Sequence, residues 1–117
     1  MKVKMTRSQL EAVELIIRVM LTENKPSNPA EKLIYDIVYK LYSRIRTRVE
    51  RVTATKDGWS VKFGEQESLA LHVFITNFPI PIGYTYEEIQ LNTIYTHLDQ
   101  EYGKLTHTDS EYRTLAT

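Results

Sequence analysis

The chain contains no cysteine. Disulfides, thiol nucleophiles and thiolate metal sites are therefore excluded outright, and the absence fits a reducing compartment. Glycine is sparse, at four of 117 residues. Gly58, Gly64, Gly83 and Gly103 each fall where a turn or helix end is expected, so none builds a phosphate-cradling loop. No nucleophile-elbow sequence occurs either. Long apolar runs are also missing: the stretch Leu15 to Leu21 is broken by Arg18 and is far too short to span a bilayer. The opening Met1-Lys2-Val3-Lys4-Met5 lacks the apolar run and small-residue cleavage site of a signal peptide. These absences predict a cytoplasmic protein without membrane contact.

Basic residues are missing from one long stretch, with no Lys or Arg between Lys62 and Lys104. Residues 1–63 carry thirteen Lys/Arg against seven Asp/Glu, whereas residues 64–117 carry two against eight. The formal net charge of +0 thus conceals halves of +6 and −6. Such a split implies an internal match, a head-to-tail self-contact, or partners of opposite sign. Helix electrostatics absorbs part of it: Glu65, Glu67, Glu87 and Glu88 fall at expected helix starts, and Arg44, Arg46, Arg48 and Arg51 crowd an expected helix end.

What is present is ordinary for one globular domain: 42% hydrophobic and 26% charged residues, in a length that buries a core without staples. Ser8-Gln9-Leu10-Glu11, or Thr6-Arg7-Ser8-Gln9, has capping-box spacing. Leu10, Val13, Ile16, Ile17, Met20 and Leu21 then recur at helical steps to about Glu23. Asn28 caps a second helix with Pro29 in its first turn. Leu33, Ile34, Ile37, Val38, Leu41, Tyr42, Ile45 and Val49 form its apolar face, and it runs to about Arg51. Val52–Thr55 and Trp59–Phe63, joined through Asp57-Gly58, read as a β-hairpin.

Residues 69–78 are apolar nearly all round, and the Glu65/Glu67 start favours a helix there. Phe78-Pro79-Ile80-Pro81-Ile82-Gly83 excludes helix. Thr85-Tyr86-Glu87-Glu88 is a capping box with Tyr84 and Ile89 placed as a hydrophobic staple, and Gly103 is a natural stop. The predicted fold is mainly α: a four-helix domain over 1–103 with a β-hairpin between helices 2 and 3, followed by a polar, partly disordered tail over 104–117. The alternative is α+β, with 69–78 as a third strand.

Two surfaces are candidates for partner binding. Lys40, Arg44, Arg48 and Arg51 fall within roughly an 80° arc of the second helix at about 100° per residue. Such a stripe docks an acidic surface or tracks a phosphate backbone, and it also reads as a solvated helix face. Phe78, Ile80, Ile82 and Tyr84 form a Pro-rigid loop that is either a docking ridge or a flap folded over the core. Eight tyrosines suit interface rims and core borders alike.

His97 and Glu101 are four apart, but no Glu-x-x-His or His-x-x-x-His pattern supplies a full ligand set. No metal, cofactor or catalytic group is expected, and His72 reads as a hydrogen-bonded core histidine. The expected function is a small non-enzymatic protein–protein interaction module, an oligomer or an accessory subunit of an assembly. The alternative is a nucleic-acid-associated regulator using the basic stripe. A pI near 6.8 weighs against that alternative.

Overall fold

The structure is a computed structural model. It describes the backbone of residues 2–50 and 59–116 and the side chains of residues 2–50 and 60–101. The order of elements is β1 (Lys2–Met5), α1 (Arg7–Glu23), α2 (Pro29–Glu50), β2 (Trp59–Lys62), α3 (Glu65–Asn77) and α4 (Thr85–Ala116). The domain is mainly α, and residues 69–77 are helical rather than a third strand.

Local chemistry starts each helix. Thr6, not Ser8, caps α1 in a reciprocal box: its hydroxyl accepts the Gln9 amide at 3.2 Å, and the Gln9 side chain accepts the Thr6 amide at 2.9 Å. Ser8 is occupied elsewhere, 3.1 Å from the Tyr86 hydroxyl on α4. Asn28 Oδ1 accepts the Glu31 amide at 2.8 Å. Glu31 in turn accepts the Ser27 hydroxyl at 2.6 Å and its amide at 2.9 Å. The Ser27 hydroxyl first, and its amide second, hold the Glu31 carboxyl below the ordinary range.

Helix α4 departs from expectation at both ends. The Tyr84 carbonyl accepts the Glu88 amide at 2.8 Å, so the helix begins one residue early. Ile89 is 55% exposed instead of stapled. The helix also continues past Gly103 to Ala116. One interior glycine costs only about 1 kcal/mol relative to alanine and does not by itself stop a helix. The expected disordered tail, 104–117, turns on side chains outside the described ones.

The hairpin is a correction. β2 pairs antiparallel with β1, in the register Lys2↔Lys62, Val3↔Val61, Lys4↔Ser60 and Met5↔Trp59. Residues 51–58, including Arg51 and the Asp57-Gly58 turn, lie outside the described residues. The physical reason is the apolar inner face. Val3 and Met5 are 6% and 4% exposed, Val3 stands opposite Val61, and all three share the buried core with Phe63, whereas Val52-Thr53-Ala54-Thr55 has only Val52 and Ala54 to offer one face. A two-stranded sheet is marginal in water, so the inner pairing that buries more carbon prevails.

Tyr42 bonds Glu14 and Tyr35 bonds the Leu21 carbonyl, which runs α1 and α2 antiparallel. Arg44 meets Glu67 at one end of the α2–α3 pair, and Ile34 lies beside Val73 and Phe78 at the other. These helices too are antiparallel. Helices α2 and α4 sit at opposite corners, each packed on both α1 and α3. Leu10, Ile16, Met20, Leu41, Ile45, Phe63, Leu71, Phe74, Leu91, Ile94 and Leu98 fill the centre with less than 2% exposure. No described helix is long and apolar enough to cross a membrane.

Candidate functional site

Strand alternation sets one surface. With Val3 and Met5 inward, Lys2 and Lys4 point outward, and across the ladder Ser60 and Lys62 do the same. Lys2 lies directly opposite Lys62, a like-charge pair that costs stability. Charge on short edge strands also deters edge-to-edge pairing, so these lysines alone would mark nothing. What the edge does not explain is the groove beside it. The C-terminal half of α2 runs past β2, and Arg44, Ile45, Arg48, Val61 and Lys62 line a groove of about 200 Å³. Its floor is carbon, since Ile45 and Val61 are buried, and its rim is cationic.

Arg44 is committed inside the molecule. Its Nη2 donates to the Lys62 carbonyl and lies 3.0 Å from Glu67 Oε1. Glu67 also accepts the Gly64 amide at 2.9 Å. One member of the predicted stripe therefore clamps the start of α3, the internal match implied by the charge split. The other described ion-paired cations, Arg7, Arg18, Lys32 and Arg46, reach a carboxylate four residues away on their own helix. Lys25 lies over the Tyr35 ring. Lys2, Lys4, Lys40, Arg48 and Lys62 have no described carboxylate partner. These five sit on the sheet or on the adjoining half of α2, whereas Lys25, also without a described carboxylate partner, lies between α1 and α2. The helical stripe foretold Lys40 and Arg48. Lys2, Lys4 and Lys62 were missed, although Lys-Val-Lys-Met and Ser-Val-Lys already show the strand alternation that places them.

The proline loop divides. Phe78 packs on Phe74 with ring centroids 5.0 Å apart, and Ile80 and Tyr84 lie half-buried against the core. Ile82 is 100% exposed. Gly83 beside it has φ 99°, a left-handed geometry that favours glycine. Tyr86 and Ile89 are exposed one turn further on. The tyrosines of α2 divide in the same way: Tyr35 and Tyr42 border the core and Tyr39 is exposed.

Two of the three buried polar side chains among the described residues, His72 and Glu14, are hydrogen-bonded to a neighbouring helix. His72, 5% exposed, stacks on Tyr95 at 5.2 Å with rings 3° from parallel, and its Nε2 lies 3.3 Å from Asp99 Oδ1. These contacts make it a hydrogen-bonded core histidine. Glu14 is buried on α1, a position the apolar stripe did not single out. It accepts the Tyr42 hydroxyl at 3.0 Å, with Arg18 Nε 3.7 Å away. Burial first, and the Glu14 carboxylate second, push the Tyr42 hydroxyl above its ordinary range.

That shift fixes a sign. A group whose folded pKa is raised contributes stability that is complete below the unfolded value, about 10, and is lost as pH rises through the folded value. Tyr42→Phe is expected to cost about 1–3 kcal/mol at pH 8, because Glu14 stays buried without its donor. The gap between wild type and variant should shrink towards pH 11. Urea unfolding at both pH values measures it, and a gap that held or widened would refute the assignment.

Among the described residues no group of three or more His, Cys, Asp or Glu side chains is placed to hold a metal ion. His97 and Glu101 are both exposed on α4. No family model, no curated protein and no solved structure matches the chain.

Proposed function

We propose that the protein is a small non-enzymatic protein–protein interaction module, a subunit of a larger assembly, that receives an acidic protein segment in the groove between α2 and β2. The observation that carries this reading is that five of the six described Lys/Arg side chains without a carboxylate partner lie on the sheet or the adjoining half of α2, and that two of them, Arg48 and Lys62, line one carbon-floored groove; the sixth, Lys25, lies over the Tyr35 ring. Elsewhere on the described surface, basic side chains are mostly neutralised on their own helix. A cationic rim over an apolar floor suits an acidic segment that also offers an apolar side chain, since charge supplies steering and register while carbon supplies affinity.

A fluorescent poly-glutamate peptide tests the rim. Binding is expected to weaken about tenfold or more between roughly 50 and 300 mM salt. Arg48→Glu combined with Lys62→Glu should abolish binding without unfolding the domain, because both side chains are exposed and Lys62→Glu also relieves the Lys2–Lys62 repulsion. Equal binding by the variant would overturn the reading. Tighter, equally salt-dependent binding of a mixed-sequence duplex would replace it with the nucleic-acid alternative.

A further inference from the structure

We propose that the acidic segment is carried by a second copy of this chain: the exposed loop and first turn of α4 of one molecule seat in the α2–β2 groove of the next. The inference rests on the proposed function, since it names the partner of that groove. Two surfaces of this molecule are complementary in both polarity and charge. The groove has a floor of Ile45 and Val61 and a rim of Arg48 and Lys62. The loop and α4 start present an apolar tip, with Ile82 100%, Tyr86 46% and Ile89 55% exposed. Glu87 and Glu88 flank this tip and have no described cationic partner.

The cavity of about 200 Å³ is of the order of one such side chain. Ile82 stands on a backbone fixed by Pro81 and the left-handed turn at Gly83, so it loses little freedom on docking. Carbon at the centre and charge at the edge is the usual anatomy of a protein interface. The two surfaces belong to helices at opposite corners of the bundle, so one molecule can offer both at once.

Charge bookkeeping favours a second copy over a polyanion. At net charge zero, two copies meet without net repulsion and each contact neutralises both signs. A nucleic acid would be attracted to the basic groove without help from any net positive charge on the chain. The contact is heterologous: a pair keeps one unfilled groove and one unfilled tip, so association continues until a ring closes or a filament grows.

Light scattering behind size exclusion tests this with two variants. One blocks the groove (Arg48→Glu plus Lys62→Glu), and the other blocks the tip (Ile82→Lys plus Glu87→Lys). Wild type is expected to gain mass with concentration at about 50 mM salt and to return to the 13.7 kDa chain at about 500 mM. Each variant alone should stay monomeric. Mixed in equal amounts they should form a pair and stop there, because the groove of one and the tip of the other remain intact while the remaining two surfaces are blocked.

A wild type that stays monomeric at about 50 mM salt, or a mixture that does not pair, overturns the proposal. Mass that grows only when duplex is added overturns it in favour of a polyanion. If wild type stays monomeric yet binds poly-glutamate in a way the groove variant loses, the groove's preference for acids stands and the second copy alone is refuted.

Discussion

Phe74→Ala is expected to lower stability by about 3–5 kcal/mol. Phe74 has 0% exposure at the centre of α3 and lies 5.0 Å from Phe78, the first residue of the proline loop. Removing the ring opens a cavity where α3 meets its neighbours and also takes away the platform on which the loop is folded. A domain of this length holds about 6–18 kcal/mol in all, so the variant stands close to unfolding. A drop of roughly 10–20 °C in the melting midpoint follows. Phe74→Leu, which keeps most of the volume, should lose less than half as much. Equal losses for the two variants would mean that the site collapses around either side chain and that the ring is not what holds the loop.

Val3→Asp is the second large effect. Val3 is 6% exposed and pairs with Val61 in a sheet of two strands, which has little stability beyond what its inner face buries. An ionised carboxylate at that position has no described cation inside the core to meet it, and a loss of about 3–5 kcal/mol at pH 7 is expected. Burial raises the folded pKa of the new acid, so the loss should shrink as pH falls towards 4 and the group enters the core neutral. Val3→Ala is the neutral control, costing about 1–3 kcal/mol without that pH trend. Circular dichroism-monitored urea unfolding at both pH values measures each. A pH-independent loss for Val3→Asp would show that the side chain turns out to solvent and that the strand is not fixed by its inner face.

The features legible in the sequence are those decided within one or two turns of chain. The Asn28/Glu31 start is written in residues three apart, and the α2 face that carries Lys40, Arg44 and Arg48 follows from helical periodicity. Thr6 and Ser8 compete on equal local terms for the α1 cap, and the Tyr86 hydroxyl, 78 residues away, engages Ser8. Neither periodicity nor capping could show that. The hairpin failed for the same reason. Asp57-Gly58 is a strong local signal, but β2 takes its partner from the first five residues, where four residues of alternation are too short to rank above it. The groove inherits that blindness, since half of its rim comes from strands whose pairing is non-local. The proline loop read as either ridge or flap because Phe78, Ile80 and Tyr84 differ from Ile82 only in which residues they find beneath them.

The pairing of Lys2–Met5 with Trp59–Lys62 also orders events in time. During synthesis the first strand leaves the ribosome with no partner and must wait for more than fifty further residues. Both long helices, α1 and α2, emerge in that interval and can pair through contacts such as Tyr42–Glu14, which close a much shorter loop. Closing the β1–β2 loop costs about 3–4 kcal/mol of chain entropy beyond a constant term, and that cost is best met once α1 and α2 already hold the ends near one another. The sheet therefore assembles after the α1–α2 pair and releases before it. Val3→Asp should accordingly act on the unfolding rate and leave the folding rate almost unchanged.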